Sequence, residues 1–213
     1  MTGVRRRAVE RARRTFRPTS AERRIAGFGL KRGDLAIDCG ANIGHVTAEL
    51  VRRGAFVYAF EPNPQAFAVL ARRFGDASNV ELRQEAVLDR AGTVRLYFHV
   101  DAAADPVGAS TGSSVLPFKG NIDPTSYVDV EALDLSEFVL RLERPVRLLK
   151  LDVEGAECPI VHRLIDTGAI ERIDVALVEL HDRHISELRG DYEALRDRLA
   201  RAGLADRVYT DWE

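Results

Sequence analysis

The chain has 213 residues, 46% of them hydrophobic and 30% charged, and its formal net charge at pH 7 is −2. This length suits a single domain, and the balanced charge argues against nucleic acid as a partner. No apolar run approaches the roughly 18 residues that span a bilayer, so we expect no membrane span. The two cysteines, Cys39 and Cys158, are too few for a disulfide framework, which predicts a reducing, cytoplasmic location.

Residues 1–30 are predicted to form an N-terminal helical segment that precedes one domain over residues 31–213. Nine arginines between Arg5 and Arg24 face only Glu10 and Glu22. Either this helix packs its apolar side on the domain and exposes arginine to water, or the arginines contact an anionic surface, a nucleic acid or a phosphorylated substrate. The composition leaves both alternatives open.

The region from residue 35 to residue 61 predicts a nucleotide-binding unit. Residues 35–39 form a short apolar run ahead of Gly40, which is typical of a buried parallel strand. Gly40 and Gly44 permit a tight turn close to a ligand, and the helix predicted over 44–53 points its free N–H groups at that turn. A second buried strand, over 55–60, ends at Glu61, where a nucleotide-binding fold places a carboxylate on ribose hydroxyls. We therefore predict a site for an adenosine-containing cofactor.

Two residues of this turn favour S-adenosylmethionine over a dinucleotide. Asp38 lies two residues before Gly40, where a carboxylate would repel a pyrophosphate but attract an ammonium or sulfonium group. Asn42 stands where the dinucleotide pattern G-x-G-x-x-G has its second glycine. No tyrosine is followed four residues later by lysine, so the Tyr-x-x-x-Lys pair of many short-chain dehydrogenases is absent. The alternatives are an NAD(P)-dependent Rossmann oxidoreductase and a non-catalytic module that binds S-adenosylmethionine.

Helix and strand alternate along the chain, which predicts a Rossmann-like, doubly wound, mostly parallel α/β sheet with helices on both faces. Further helices are predicted over 19–30, 64–74, 136–142, 154–166 and 186–202, and strands over 79–87, 93–100, 127–130, 146–151 and 175–180. The strand over 93–100 is expected to be added by a hairpin. The segment 101–126 has no clear period and is expected to be a functional lid or a disordered loop.

Acidic residues and a histidine collect at the carboxyl ends of the predicted strands, where open α/β sheets bind their ligands. They are Asp38, Glu61, Glu85, Asp152, Glu154, Glu179 and His181. A histidine with an ordinary pKa near 6.5 can take the proton of an attacking hydroxyl, so His181 is the predicted general base. Asp152, Glu154 and Glu179 are further catalytic candidates. The same residues would alternatively bind Mg²⁺ through their oxygen and nitrogen atoms.

Four segments together resemble a known family. They are Asp38-x-Gly-Ala-Asn-Ile-Gly-x-x-Thr47, Phe60-Glu-Pro-Asn-Pro64, Lys150-Leu-Asp-Val-Glu-Gly-Ala-Glu157 and Val178-Glu-Leu-His181. Over residues 33–181 the chain resembles the FkbM family of class I S-adenosylmethionine-dependent methyltransferases. The resemblance implies O-methylation of a hydroxyl on a sugar, glycolipid, polyketide or related natural product.

The resemblance also implies which residues contact the cofactor. It assigns contact with the methionine portion to Asp38, Gly40, Asn42 and Thr47. Glu61 is assigned to the ribose, and Glu85 and Ala86 are assigned to the adenine edge. Ser113 and Ser114 match a stretch that closes over the cofactor. The remaining cofactor candidates are Ala41, Gly44, Pro62, Asn63 and Asp152. A class I sheet ordinarily ends in an antiparallel hairpin, but few residues follow the last predicted helix. We therefore expect either a shortened sheet, or a sheet that is completed by the 93–130 insertion or by a partner chain in a homodimer.

Overall fold

The computed structural model describes residues 20–181 and 185–210. Most of the predicted N-terminal helical segment, with seven of its nine arginines, lies outside these residues. Helices α1 to α6 span Ser20–Gly27, His45–Arg52, Pro64–Phe74, Leu135–Arg141, Glu157–Asp166 and Arg189–Arg201. Strands β1 to β9 span Leu35–Cys39, Phe56–Phe60, Val80–Arg83, Ala86–Leu88, Gly92–His99, Ile122–Asp134, Leu148–Leu151, Ala176–Val178 and Val208–Tyr209. Short 3-10 helices lie at Gly108–Gly112, Ala169–Arg172 and Ser186–Leu188.

A six-stranded sheet with the order β3-β2-β1-β7-β8-β9 occupies the centre of the described structure, and its strand pairs are parallel. All five residues of β1 are buried, because both faces of a parallel sheet are covered. Alternate residues of β1 point to opposite faces: Ile37 joins one apolar core with Leu149, and Ala36 joins another with Leu50. These two cores confirm the predicted doubly wound α/β fold.

The order of the strands reverses at β1, since the chain proceeds from β1 through β2 to β3 on one side and from β7 to β9 on the other. Ligands of open α/β sheets bind at such a switch point, outside the carboxyl ends of the strands. The parallel register sets Cys39 beside Phe60 and Leu151 at that end. The segments that begin at Gly40, Glu61 and Asp152 therefore start next to one another.

Three further strands form a second sheet with the order β4-β6-β5. Residues 79–87, predicted as one strand, divide into β3 in the main sheet and β4 in the second sheet. The predicted hairpin for residues 93–100 is wrong, because the 13-residue β6 lies between β4 and β5 and pairs with both. The predicted strand over 127–130 is the middle of this longer β6.

The main sheet ends with β9, which pairs parallel with β8 because α6 carries the chain back before β9 begins. Within residues 20–181 and 185–210 this sheet has no antiparallel hairpin, and its edge strands are β3 and β9. A homodimer through such an edge stays a prediction. Both cysteines are buried thiols. None of the described helices combines the length and the apolar character needed to cross a membrane.

Candidate active site

The turn after β1 requires glycine at its first position. Gly40 has a φ of 74°, and a Cβ atom there would lie 1.8 Å from the backbone oxygen of Asp152. The N–H groups of Gly40 and Ala41 both donate to the carbonyl of Phe60, at 3.0 and 2.9 Å. Asn42 follows with a φ of 49°, as its tolerance of the left-handed region predicts. The turn is thus packed against the start of both neighbouring segments.

The buried Asp38 carboxylate lies beneath this turn. Thr47 Oγ1 donates to Asp38 Oδ2 at 2.6 Å, and Lys150 Nζ lies 3.5 Å from Asp38 Oδ1. Lys150 also lies 3.1 Å from Asp152 Oδ2 and donates to the carbonyl of Gly40 at 2.6 Å. Burial lowers the pKa of Lys150, but the carboxylates of Asp152 and Asp38 raise it further, to above its usual range. A buried ammonium group therefore neutralises part of the acidic set.

Glu61, at the end of β2, is fixed by backbone donors. Its Oε2 accepts from the N–H of Asn42 at 2.7 Å, and its Oε1 accepts from the N–H of Asn63 at 2.8 Å. Burial raises the pKa of Glu61 to about 7, against the lowering effect of these two hydrogen bonds. The carboxylate is held in one orientation, and its charge depends on pH near neutrality.

Glu61 faces a narrow cleft with a cavity volume of about 80 Å³. Eight of the predicted cofactor residues line it: Gly40, Asn42, Glu61, Pro62, Glu85, Ala86, Ser113 and Asp152. Six others lie outside its lining: Asp38, Ala41, Gly44, Thr47, Asn63 and Ser114. Some of these six form hydrogen bonds to lining residues, as Asn63 does to Glu61 and Ser113. Direct contact of the six with a cofactor stays a prediction.

One wall of the narrow cleft comes from residues 108–121, which we call the cover segment. Asn42 Nδ2 donates to Ser110 Oγ at 2.8 Å, and Asn63 Nδ2 donates to Ser113 Oγ at 3.0 Å. Ser114 Oγ donates to the backbone oxygen of Glu154 at 2.7 Å. The segment expected to be a lid is therefore ordered and bonded to both sides of the cleft.

A second, larger cavity of about 690 Å³ lies beside the narrow cleft, and we call it the polar cavity. Glu154 and Thr111 line both cavities, whereas Glu179 and His181 line the polar cavity alone. Glu154 has a φ of 62°, which is unusual for a residue with a side chain. This conformation, with the bond from Ser114, holds its carboxylate at the junction of the two cavities.

His181 is surrounded by carboxylates at that junction. Its Nε2 lies 3.3 Å from Glu154 Oε2, 3.7 Å from Asp152 Oδ1 and 3.9 Å from Glu179 Oε1. The structure thus brings together all four predicted catalytic residues. Burial lowers the pKa of His181, but Glu157 and the other carboxylates raise it more strongly, to about 9. The ordinary pKa that the sequence suggested does not apply here.

Glu157, which the sequence analysis included only as the last residue of a motif, lies on the other side of the imidazole. It has no solvent exposure, and its Oε1 lies 3.2 Å from His181 Nδ1. The same oxygen accepts from the N–H groups of Val153 and Gly155, and Tyr192 OH donates to Oε2 at 3.1 Å. All of these contacts immobilise Glu157 at the start of α5.

The alternative interpretation, a Mg²⁺ site, would compete with ion pairs within the protein. Atoms of Asp152, Glu157 and His181 lie within 4.8 Å of one another. However, Asp152 pairs with Lys150, and Lys119 Nζ lies 2.5 Å from Glu154 Oε2. These two ammonium groups already pair with the carboxylates. A Mg²⁺ ion, which demands octahedral oxygen ligands, would have to compete with them. Glu157 already accepts from three donors, and Glu179 lies 3.9 Å from His181 Nε2.

Comparison with known proteins identifies the family. Residues 38–204 match the methyltransferase FkbM domain. The chain is 33% identical to the 31-O-demethyl-FK506 methyltransferase FkbM of Streptomyces tacrolimicus over 181 residues, which are 73% of this chain and 68% of that protein. The chain belongs to the FkbM family of class I S-adenosylmethionine-dependent methyltransferases.

Other similar proteins have lower sequence identity to this chain. Methyltransferase 1 of Beauveria bassiana is 29% identical, covering 83% of this chain and 74% of that protein. A trans-aconitate 2-methyltransferase of Mycobacterium tuberculosis is 26% identical, covering 80% of this chain and 67% of that protein. Among solved structures, an rRNA methylase from Streptococcus thermophilus has a TM-score of 0.40 at 16% identity, over 73% of this chain and 63% of that chain.

Membership of the FkbM family decides against the nicotinamide oxidoreductase interpretation. Four residues that hold the site together were not among the predicted site residues. Lys150 carries a signal, since it is a charge inside the buried strand LLKL, and Glu157 closes the motif that carried the resemblance. Lys119 and Tyr192 carry none, because only the fold brings them to Glu154 and Glu157.

Proposed function

We propose that this FkbM-family protein transfers the methyl group of S-adenosylmethionine to a hydroxyl of a sugar, glycolipid, polyketide or related natural product. The observation that supports this most strongly is the position of His181 Nε2, 3.3 Å from Glu154 Oε2. Glu154 lines both the narrow cleft and the polar cavity. A proton acceptor in the polar cavity, next to the residue that borders both cavities, suits transfer of a group from the narrow cleft to a hydroxyl in the polar cavity.

The narrow cleft is the proposed donor site. Its residues fit the cofactor, because Glu61 is oriented to accept from ribose hydroxyls and Asp152 offers negative charge to a cationic ligand. Gly40 and Asn42 allow close approach of the backbone, and Glu85 with Ala86 borders the part assigned to adenine. When bound, S-adenosylmethionine supplies a methyl group that is activated by its positively charged sulfur.

The polar cavity is the proposed acceptor site, and His181 is the proposed base. A hydroxyl must lose its proton as its oxygen forms the new bond, and that proton is taken at His181 Nε2. Because its pKa is about 9, His181 is mostly imidazolium at neutral pH before ligands bind. Positive charge that enters the cleft beside Asp152 lowers this pKa and so favours the neutral imidazole.

Glu154 and Glu157 have separate proposed roles. Glu154 lies on the acceptor side of the imidazole, where it orients the hydroxyl or shares the proton, since burial raises its pKa. Glu157 is a proposed positioning residue, because its buried negative charge lies 3.2 Å from Nδ1 of His181 and favours a proton on that nitrogen, which leaves Nε2 as the acceptor on the side of the polar cavity. Glu179, 3.9 Å from Nε2, adds to the negative potential around the ring.

Transfer of labelled methyl groups tests the proposal. The protein is first titrated with S-adenosylhomocysteine by calorimetry, then incubated with methyl-labelled S-adenosylmethionine and a panel of hydroxylated acceptors, with and without prior EDTA dialysis. We expect binding of S-adenosylhomocysteine and a labelled O–CH₃ group in the product, in both arms. Label on nitrogen or carbon, or activity that EDTA abolishes and Mg²⁺ restores, would contradict the proposed chemistry.

A further inference from the structure

The polar cavity has an unusual wall. Apart from Ala109 and three glycines, Gly108, Gly112 and Gly120, all residues that line it have polar or charged side chains. Within the part of the chain that the structure describes, no hydrocarbon side chain larger than that of Ala109 lines it. An apolar alcohol in this cavity would cover polar groups without replacing their hydrogen bonds to water, which disfavours its binding.

The charged groups of this wall are mostly carboxylates. Asp101, Asp105, Glu154 and Glu179 line the cavity, and the ammonium group among the lining residues, that of Lys119, is already 2.5 Å from Glu154 Oε2. Among the described residues, the cations that line the cavity are Lys119 and the His181 imidazolium, and both already lie beside carboxylates of the protein. A carboxylate on a ligand would have to compete with these acids and would face their negative potential. The cavity therefore disfavours acidic acceptors as well as apolar ones.

Several groups of the wall match the hydrogen-bonding capacity of hydroxyls. The Oδ1 atom of Asn121 is buried and has no hydrogen-bond partner among the described residues. His99 Nδ1 accepts from the N–H of Asp101 at 3.1 Å, so in the neutral ring Nε2 is the donor. Each hydroxyl has one O–H donor and two acceptor lone pairs, so the several hydroxyls of a polyol can between them donate to the Asn121 oxygen and the carboxylates and accept from the His99 N–H.

We infer that the part of the acceptor that enters the polar cavity is a saccharide or cyclitol unit, a polyol that carries no carboxylate. This inference rests on the proposed function, because it takes the polar cavity as the acceptor site. It narrows the acceptor within that function, since it excludes aliphatic macrocyclic alcohols and hydroxy acids from the position beside His181.

Binding to the protein saturated with S-adenosylhomocysteine tests the inference without turnover. The probes are the methyl α-glycosides of glucose, galactose and mannose, each paired with its own uronide, and cyclohexanol. Saturation-transfer NMR at low ionic strength is expected to detect at least one glycoside, with its uronide at least tenfold weaker and cyclohexanol not bound. Absence of binding by all three glycosides, a uronide as tight as its glycoside, or tighter binding of cyclohexanol overturns the inference.

A pair of variants adds a control for charge. Asp101→Asn combined with Asp105→Asn removes two carboxylates from the wall and should reduce the discrimination against uronides at least threefold. Asp76→Asn, at an exposed position outside the lining, should leave it unchanged. Unchanged discrimination in the double variant contradicts the electrostatic part of the inference.

The two proposals fail in different ways. Glycoside binding without transfer of label to any hydroxyl retains the saccharide site and overturns the proposed O-methylation. Transfer of label to a hydroxyl of an apolar alcohol or a hydroxy acid, with no saccharide accepted, retains O-methylation and overturns the saccharide site.

Discussion

His181 Nδ1 lies 3.2 Å from Oε1 of Glu157, a carboxylate without solvent exposure. Tyr192 OH and two backbone N–H groups bind the same carboxylate, so the negative charge beside Nδ1 is held in place by three hydrogen bonds. The opposite nitrogen faces Glu154, Asp152 and Glu179. The pKa of His181 is therefore set by carboxylates from α5 and from the segments that follow β7 and β8.

Replacing Glu157 by glutamine should lower turnover at least tenfold and lower the pKa of His181, because a neutral amide removes a charge that favours the imidazolium. The pH dependence of kcat/KM and an NMR titration of the imidazole measure both effects. Glu171→Gln, at an exposed carboxylate paired with Arg207, is the matched control. An unchanged titration of His181 would remove the positioning role of Glu157.

Removal of the imidazole should affect chemistry rather than donor binding. We expect His181→Ala to lower turnover by two or more decades, because a general base contributes roughly 10²–10⁴ in rate, and to leave affinity for S-adenosylhomocysteine within a few-fold. Single-turnover transfer and calorimetry separate the two effects. His162→Ala, in the middle of α5, serves as control. Equal turnover of His181→Ala and wild type would exclude His181 from the mechanism.

The raised pKa of His181 predicts how stability changes with pH. Because the folded pKa of about 9 exceeds the ordinary value of 6.5, the contribution of His181 to the free energy of unfolding is complete below about pH 6.5. It is lost as pH rises through 9. Urea unfolding of wild type and His181→Gln should thus differ more at pH 6 than at pH 10. A difference independent of pH would contradict the shift.

Glu61 should make donor affinity depend on pH. With a pKa of about 7, its carboxylate ionises between pH 6 and 8, and the ionised form accepts more strongly from ribose hydroxyls. Affinity for S-adenosylhomocysteine should therefore rise over this interval in wild type. In Glu61→Gln it should be at least tenfold weaker and flat with pH, by calorimetry. Glu81→Gln, half-exposed on the neighbouring strand, should behave as wild type.

Alanine substitutions at two glycines can distinguish the cost of a positive φ from the cost of a steric clash. Gly29 and Gly40 have similar φ values, 60° and 74°, but a Cβ atom at Gly29 would meet open space and one at Gly40 would meet the backbone oxygen of Asp152. Gly29→Ala should lower the free energy of unfolding by about 1–2 kcal/mol. Gly40→Ala should lower it by about 3 kcal/mol or more, as measured by urea unfolding. Equal losses would mean that the contact with Asp152 is easily relieved.

The pattern around Asp38, Gly40 and Glu61 could be predicted from sequence because it is local: a buried strand, a glycine turn and an acid at the next strand end. Parallel topology then brings Asp152 and His181 to the same edge. The fold class and the grouping of the four catalytic candidates follow from these two facts. The pKa of His181 does not, since it depends on distances to four carboxylates.

Contacts distant in sequence could not be predicted in this way. Lys119 is 35 residues from Glu154, and Tyr192 is 35 residues from Glu157. Lys119 comes from a stretch without periodicity, and the division of residues 79–87 between two sheets depends on the length of β6. Tertiary pairing, which competes with local preference, decides such features.

The cover segment forms part of the wall of both cavities, with Ser110 and Ser113 toward the narrow cleft and Lys119 and Asn121 toward the polar cavity. A change there that reshapes one cavity also moves the wall of the other. A substitution in this stretch must therefore be compatible with the shape of both cavities. Substitutions meant to change the polar cavity alone should begin at Asp101, which lines that cavity and lies outside the cover segment. Asp105 is less separable, because its Oδ1 accepts from the N–H of Gly108, the first residue of the cover segment, at 2.9 Å.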